Sequence, residues 1–114
     1  MDLNEFSKVC HAVSRDAGWW DVERTAELYA TKIALIHSEV SEMLEGLRKG
    51  KQDDHLPERS QEEVECADIL IRLFDYAGAR GLDVQGAFDD KLVYNAQRAD
   101  HKKENREAEG GKKF

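Results

Sequence analysis

The chain has 114 residues, 40% hydrophobic and 36% charged, with 17 Lys and Arg against 24 Asp and Glu for a formal net charge of -7. That is the length of one domain, too apolar for a disordered chain and too polar for a membrane one. The acid excess disfavours nucleic-acid binding, no apolar run approaches the ~18 residues of a spanning helix, and the opening MDLNEFSK lacks a signal-peptide layout, so a cytoplasmic protein is expected.

One proline and eight glycines, the latter gathered at boundaries, predict long helices with few breaks. The first helix is expected from about Asn4 to Asp16, with Phe6, Val9, Cys10 and Val13 at helical spacing. Gly18 and the pair Trp19-Trp20 interrupt it. The second helix is expected from about Arg24 to Arg48, with an apolar stripe of Ile33, Ile36, Val40, Met43, Leu44 and Leu47. Leu35 lies off that stripe, which predicts a central helix covered on more than one side.

The polar segment from Lys49 to Arg59 carries the proline, and Ser60 with Glu63 then reads as a capping box. The third helix is expected to reach Arg80, burying Val64, Ala67, Leu70, Ile71, Phe74 and Ala77, with Gly81 as its terminal cap. Asp83 can cap a fourth helix, which begins near Val84 and could run to about Asn105. The expectation is an all-α, four-helix bundle over residues 1–108, followed by a mobile tail over 109–114. Cys10 and Cys66 have no ligand spacing and are expected to be small buried hydrophobes.

Glu39 and Glu42 lie three apart on the second helix, and Glu65 and Asp68 three apart on the third. Residues so spaced share a helix face. Antiparallel packing through the intervening loop would bring four carboxylates around one volume. Like charges there repel unless cations join them, and hard oxygen ligands suit Mg²⁺ or Mn²⁺. Such metals in turn suit phosphoryl chemistry. A solvated acidic face gives the same spacing, and Asp68 can pair with Arg72 one turn on.

The two motifs, Glu39-Val-Ser-Glu42 and Glu65-Cys-Ala-Asp68, resemble those of the MazG-like, all-α nucleoside triphosphate pyrophosphohydrolases. Their flanks HSEVSEMLEGLRKG, EEVECADILIRLFDYAGARGLDV and KLVYNAQRADHK extend the likeness over about residues 28 to 102. The resemblance implies cleavage of an NTP or dNTP between the α and β phosphates to the monophosphate and pyrophosphate. It implies nucleotide-pool cleaning or removal of a dNTP such as dGTP, with Mg²⁺ (or Mn²⁺ in its place) as cofactor. It further implies a MazG-like bundle working as a homodimer or homotetramer, with sites built partly across subunits. Carried over, Glu39, Glu42, Glu65 and Asp68 become metal ligands, and Glu39 or Glu42 also orients or deprotonates the attacking water. Lys91, Asn95, Arg98 and Lys102 share one face of the fourth helix and resemble the family's triphosphate-contacting pattern. Trp20, with Trp19, is a candidate for stacking on the base. His37, Glu45 and Asp75 are expected in surface roles. The alternative is a non-catalytic helical protein that binds a nucleotide or a partner.

Overall fold

The computed structural model describes residues 1–98 and Gly110. Among them the chain is all-helical: α1 (Leu3–Asp16), α2 (Ala26–Lys49), α3 (Gln61–Arg80) and α4 (Val84–Gln97). The described residues contain no strand, only an isolated bridge between Gln52 and Ser60 that pins the α2–α3 loop. No described helix is long and apolar enough to cross a membrane.

Each helix begins at a side chain that accepts from its free amides. Asp2 and Glu5 form a capping box on α1, and Thr25 accepts from the Leu28 amide on α2. Ser60 and Glu63 form the capping box expected on α3, and Asp83 accepts from the Gly86 amide on α4. Gly50 and Gly81 end α2 and α3 at φ of 60° and 64°, a left-handed conformation that glycine adopts without a Cβ penalty.

The chain divides into two compact units, Met1–Leu82 with α1 to α3, and a second from Asp83 onward with α4. In the first, α3 is the central helix, where the sequence pointed to α2. α2 runs antiparallel to α3, and α1 also packs on α3. On one side Phe6 stacks on Phe74 at 5.7 Å between ring centroids. Gly78 lets the helices approach there, since a Cβ on it would lie 2.7 Å from that of His11 and would fall on the Ser7 carbonyl. On the other side Tyr29 meets Tyr76 edge-on at 6.2 Å. Gly46 admits the start of α3, where a Cβ would come within 3.0 Å of the Gln61 side chain.

The inner faces differ from those expected. The only described apolar residues that are buried are Trp20, Phe74 and Ala77. Of the expected α2 stripe, Ile33, Val40, Leu44 and Leu47 are exposed, as are Leu70 and Ile71 of α3 and Val9 and Val13 of α1. Toward its neighbours α2 turns the face of Lys32, Leu35, Glu39 and Gly46, and α3 turns that of Glu65, Asp68, Arg72 and Asp75. Cys66 is exposed, its thiol 3.3 Å from the Met43 sulfur, and only Cys10 is partly covered. The fourth helix stops at Gln97, with Arg98 in an extended conformation. The remainder of its expected span lies outside the described residues, as does the expected tail apart from Gly110.

Candidate metal centre and adjoining cavity

The antiparallel register of α2 and α3 brings Glu39, Glu42 and Glu65 together. One carboxylate oxygen of each lies within 4.8 Å of the others. Glu39 and Glu65 are 8% and 7% exposed, while Glu42 is exposed. The loop end fixes this register, because Gln61 Nε2 donates to the Glu42 carbonyl at 3.1 Å. Asp68, the fourth expected ligand, stands beside the three rather than within them. Its carboxyl interacts with Glu65 and with Glu39.

The electrostatics follow from this crowding. Burial pushes the Glu65 carboxyl up to about 8, and its contacts with Glu39 and Glu42 add to the shift. Burial and the charge of Glu39 also raise Asp68. For Glu39 burial again acts upward, but the hydrogen bonds from Glu65 and Arg72 and the Arg72 charge outweigh it, leaving that carboxyl below its usual range. Arg72 Nε donates to Glu39 Oε1 at 2.9 Å. The spacing also allowed a surface pair of Arg72 with Asp68, but the hydrogen bond of Arg72 goes to the buried acid of the facing helix.

Glu65 Oε2 is sealed from solvent and accepts no hydrogen bond from the described residues. A buried carboxylate oxygen without a donor is costly, and a proton, an ordered water or a cation would relieve it. The donor set, all carboxylate oxygen, matches a hard divalent ion such as Mg²⁺ or Mn²⁺.

Beside the carboxylates a cavity of about 630 Å³ opens between α1, α2 and α3. Its apolar wall includes Val9, Val13, Trp19, Leu35 and Ile71, and Glu39, Asp68, Arg72 and Asp75 also face it. This size and mixture suit a small organic ligand. Trp20, expected to offer its face to a base, is 5% exposed. Its Nε1 donates to Asp75 Oδ1 at 2.9 Å, the His11 ring meets it edge-on, and the Lys32 and Arg24 cations lie 4.6 and 4.9 Å from its centroid. Trp20 therefore supports the cavity from behind. The aromatic ring open to a ligand is that of Trp19, which is 69% exposed. Lys32 ties the two together, since its Nζ also donates to the Trp19 carbonyl at 3.3 Å.

Asp75, expected at the surface, is instead the acceptor for both His11 and Trp20. A signal for Arg72 and Asp75 was present in the sequence. Glu65, Asp68, Arg72 and Asp75 follow a three-four-three spacing, which puts all four on one helical face.

Of the expected substrate contacts, Lys91, Asn95 and Arg98 lie on or at the end of α4 in the second unit. Lys91 Nζ and the Arg98 guanidinium both approach the Tyr94 ring, at 4.7 and 5.5 Å. Asn95 Oδ1 is buried with no donor among the described residues. Lys102 lies outside the described residues. His37 is exposed, as expected. No protein-family model, curated protein or solved structure matches this chain.

Proposed function

We propose that the chain is a metal-dependent nucleoside triphosphate pyrophosphohydrolase of the MazG-like kind, cleaving an NTP or dNTP to its monophosphate and pyrophosphate. The observation that carries this reading is the buried, donorless Glu65 oxygen among Glu39 and Glu42, at the edge of a ligand-sized cavity. Glu39, Glu42, Glu65 and Asp68 hold Mg²⁺, or Mn²⁺ in its place. When bound, the ion supplies Lewis acidity at the phosphate and neutralises charge on the leaving pyrophosphate.

The protein's own groups do the rest. Glu42 accepts a proton from an attacking water and passes it to solvent, a role that its exposure supports. Arg72 holds Glu39 ionised and in place, which keeps a ligand ready at neutral pH. The apolar wall with Trp19 receives the nucleoside. The cations of α4, Lys91 and Arg98 with Asn95 beside them, are of the right type to grip phosphate oxygens. The functional unit is a homo-oligomer, because the exposed stripes of α2 and α3 need cover.

The deciding experiment incubates the purified chain with a panel of NTPs and dNTPs in Mg²⁺ or Mn²⁺ and scores pyrophosphate and monophosphate. Pyrophosphate release that needs the metal supports the reading. Orthophosphate release, or no reaction with any nucleotide, refutes it.

A further inference from the structure

The seam between α2 and α3 holds a second sealed oxygen besides that of Glu65. Gln61 Oε1 is buried and accepts no hydrogen bond from the described residues. Gln61 lies four residues before Glu65 on α3, so the two side chains share one helical face, with Cβ atoms about 5 to 6 Å apart. Its stem packs on Gly46, since a Cβ there would come within 3.0 Å of the Gln61 Cβ and Cγ. Its Nε2 then donates to the Glu42 carbonyl at 3.1 Å, one helical turn nearer the carboxylates. The carboxamide therefore lies at the edge of the acidic cluster. A carbonyl only accepts, so this bond fixes which arm of the amide is the oxygen.

The basic side chains at the loop end of the two helices are engaged elsewhere. Arg48 and Lys49 pair with Glu45, Lys51 with Asp54 and Arg59 with Glu63, while Arg72 serves Glu39. Two sealed acceptors one turn apart thus have the same deficit. One water could donate to both oxygens. It would leave unanswered the mutual repulsion of Glu39, Glu42 and Glu65, whose oxygens lie within 4.8 Å of one another. A divalent cation answers both at once. A carboxamide oxygen suits its chemistry, because hard ions of this class take carbonyl as well as carboxylate oxygen. Being neutral, it also adds a ligand without adding charge to a site already rich in acids.

We propose that Gln61 is a ligand of the divalent ion, its Oε1 joining oxygens of Glu39, Glu42 and Glu65 in one cage. The proposal rests on the metal site of the function proposed above and extends it to a residue outside both acidic motifs. Gln61 then acts through both arms of its amide. Nε2 sets the register of the helices, and Oε1 meets the ion.

The test measures Mn²⁺ binding to the metal-stripped protein without nucleotide, by calorimetry and by loss of the free-ion signal in electron paramagnetic resonance. Gln61→Met keeps the length and the apolar stem but removes both polar arms, and its Kd should rise roughly tenfold or more. Gln61→Glu keeps an oxygen while losing the donor to Glu42, and it should bind Mn²⁺ at least as tightly as wild type. Equal weakening in the two variants would show that Gln61 acts through the Glu42 carbonyl alone, and overturns the proposal. So does wild-type affinity in Gln61→Met, which would leave the sealed oxygen to a water. In both cases metal-dependent pyrophosphate release still stands. Should either variant fail to fold, the wild-type protein decides. The side-chain NH₂ resonances of Gln61 should shift with added Mg²⁺ along the binding curve, and resonances that stay still overturn the proposal. A wild-type protein that binds no Mn²⁺ removes this inference, and the nucleotide panel then decides the proposed function separately.

Discussion

Arg72 on α3 reaches across to Glu39 on α2, with its Nε 2.9 Å from Oε1, and this is the only ion pair among the described residues that joins those two helices. The Glu39 side chain is 10% exposed and that of Arg72 41%. The acid is thus nearly buried while its partner reaches solvent, so the pair neutralises Glu39 without burying the guanidinium.

Arg72→Gln should therefore destabilise the metal-free protein at neutral pH by about 1 kcal/mol, the partial exposure of Arg72 keeping the loss below that of a fully buried pair. In the folded state the Glu39 carboxyl is held below its ordinary value of 4.5. A depressed acid contributes stability above that value and loses it as pH falls through the lower folded one. The gap between wild type and variant should accordingly narrow below about pH 4. Denaturant melts at pH 7 and pH 3.5 measure it. An equal gap at both values would show that Arg72 acts through packing rather than through Glu39.

Glu65 has the opposite sign. Its carboxyl is raised from 4.5 to about 8. The folded state therefore binds the proton more tightly than the unfolded state, and stability falls as pH rises between those values. Metal-free protein should melt at a lower temperature at pH 8 than at pH 5.5. Glu65→Gln, which mimics the protonated acid, should flatten that slope and exceed wild type at pH 8. Added Mg²⁺ or Mn²⁺ should reverse the order, since the cation stabilises the wild-type carboxylate by mass action. A wild-type slope that persists in Glu65→Gln would place its source at another group.

Turnover should need the ligands individually. Glu39→Gln and Asp68→Asn each remove one charge at nearly constant shape. A loss of several kcal/mol of transition-state stabilisation is expected, or roughly 10² to 10³-fold in kcat. Far-ultraviolet circular dichroism should remain helical. Near-wild-type rates in both would remove these residues from the metal site.

The caps were legible in the sequence because they are local. Ser60 with Glu63, Gly81 and Asp83 act on amides or carbonyls within a few residues, and all three fall where the spacing put them. The inner faces were not legible, for a physical reason. Apolar periodicity locates the greasiest face, which on α2 is that of Val40, Leu44 and Leu47, and that face is exposed. The face turned inward mixes Leu35 with Lys32 and Glu39, and its counterpart on α3 is four charged residues. Burying charge is unfavourable unless the charges are paired, and a pattern of single residues carries no information about pairing across helices. Trp20 was misplaced for the same reason. Its partner Asp75 is 55 residues away in the chain.

The crossing of α1 on α3 depends on Gly78. A Cβ there would meet the Ser7 carbonyl, a backbone atom that cannot rotate aside, and the His11 Cβ at 2.7 Å. Gly78→Ala should cost about 1 to 3 kcal/mol through overpacking, despite the better helix propensity of alanine. Because His11 holds Asp75, a displaced α1 should also quench or shift Trp20 fluorescence. A variant as stable as wild type would mean that the helices separate easily at this point.

The exposed apolar faces lead to the last prediction. Leu44 and Leu47 are 56% and 60% exposed on α2, and Leu70 and Ile71 are 50% and 51% exposed on α3. Few large side chains are sequestered within the described residues, so burial inside one chain leaves much hydrophobic driving force unused. A monomer would leave these large apolar side chains in water, which favours a symmetric interface between copies. Light scattering at micromolar concentration should therefore give a mass at least twice the 13.0 kDa of the chain. Leu44→Glu with Leu47→Lys should shift it toward the monomer, because each charge would have to be buried unpaired in the interface. Both residues lie on the open side of α2, so helix content should survive the change. If the wild-type chain runs as a monomer and still releases pyrophosphate at full rate, these faces have another role and the site is complete within one copy.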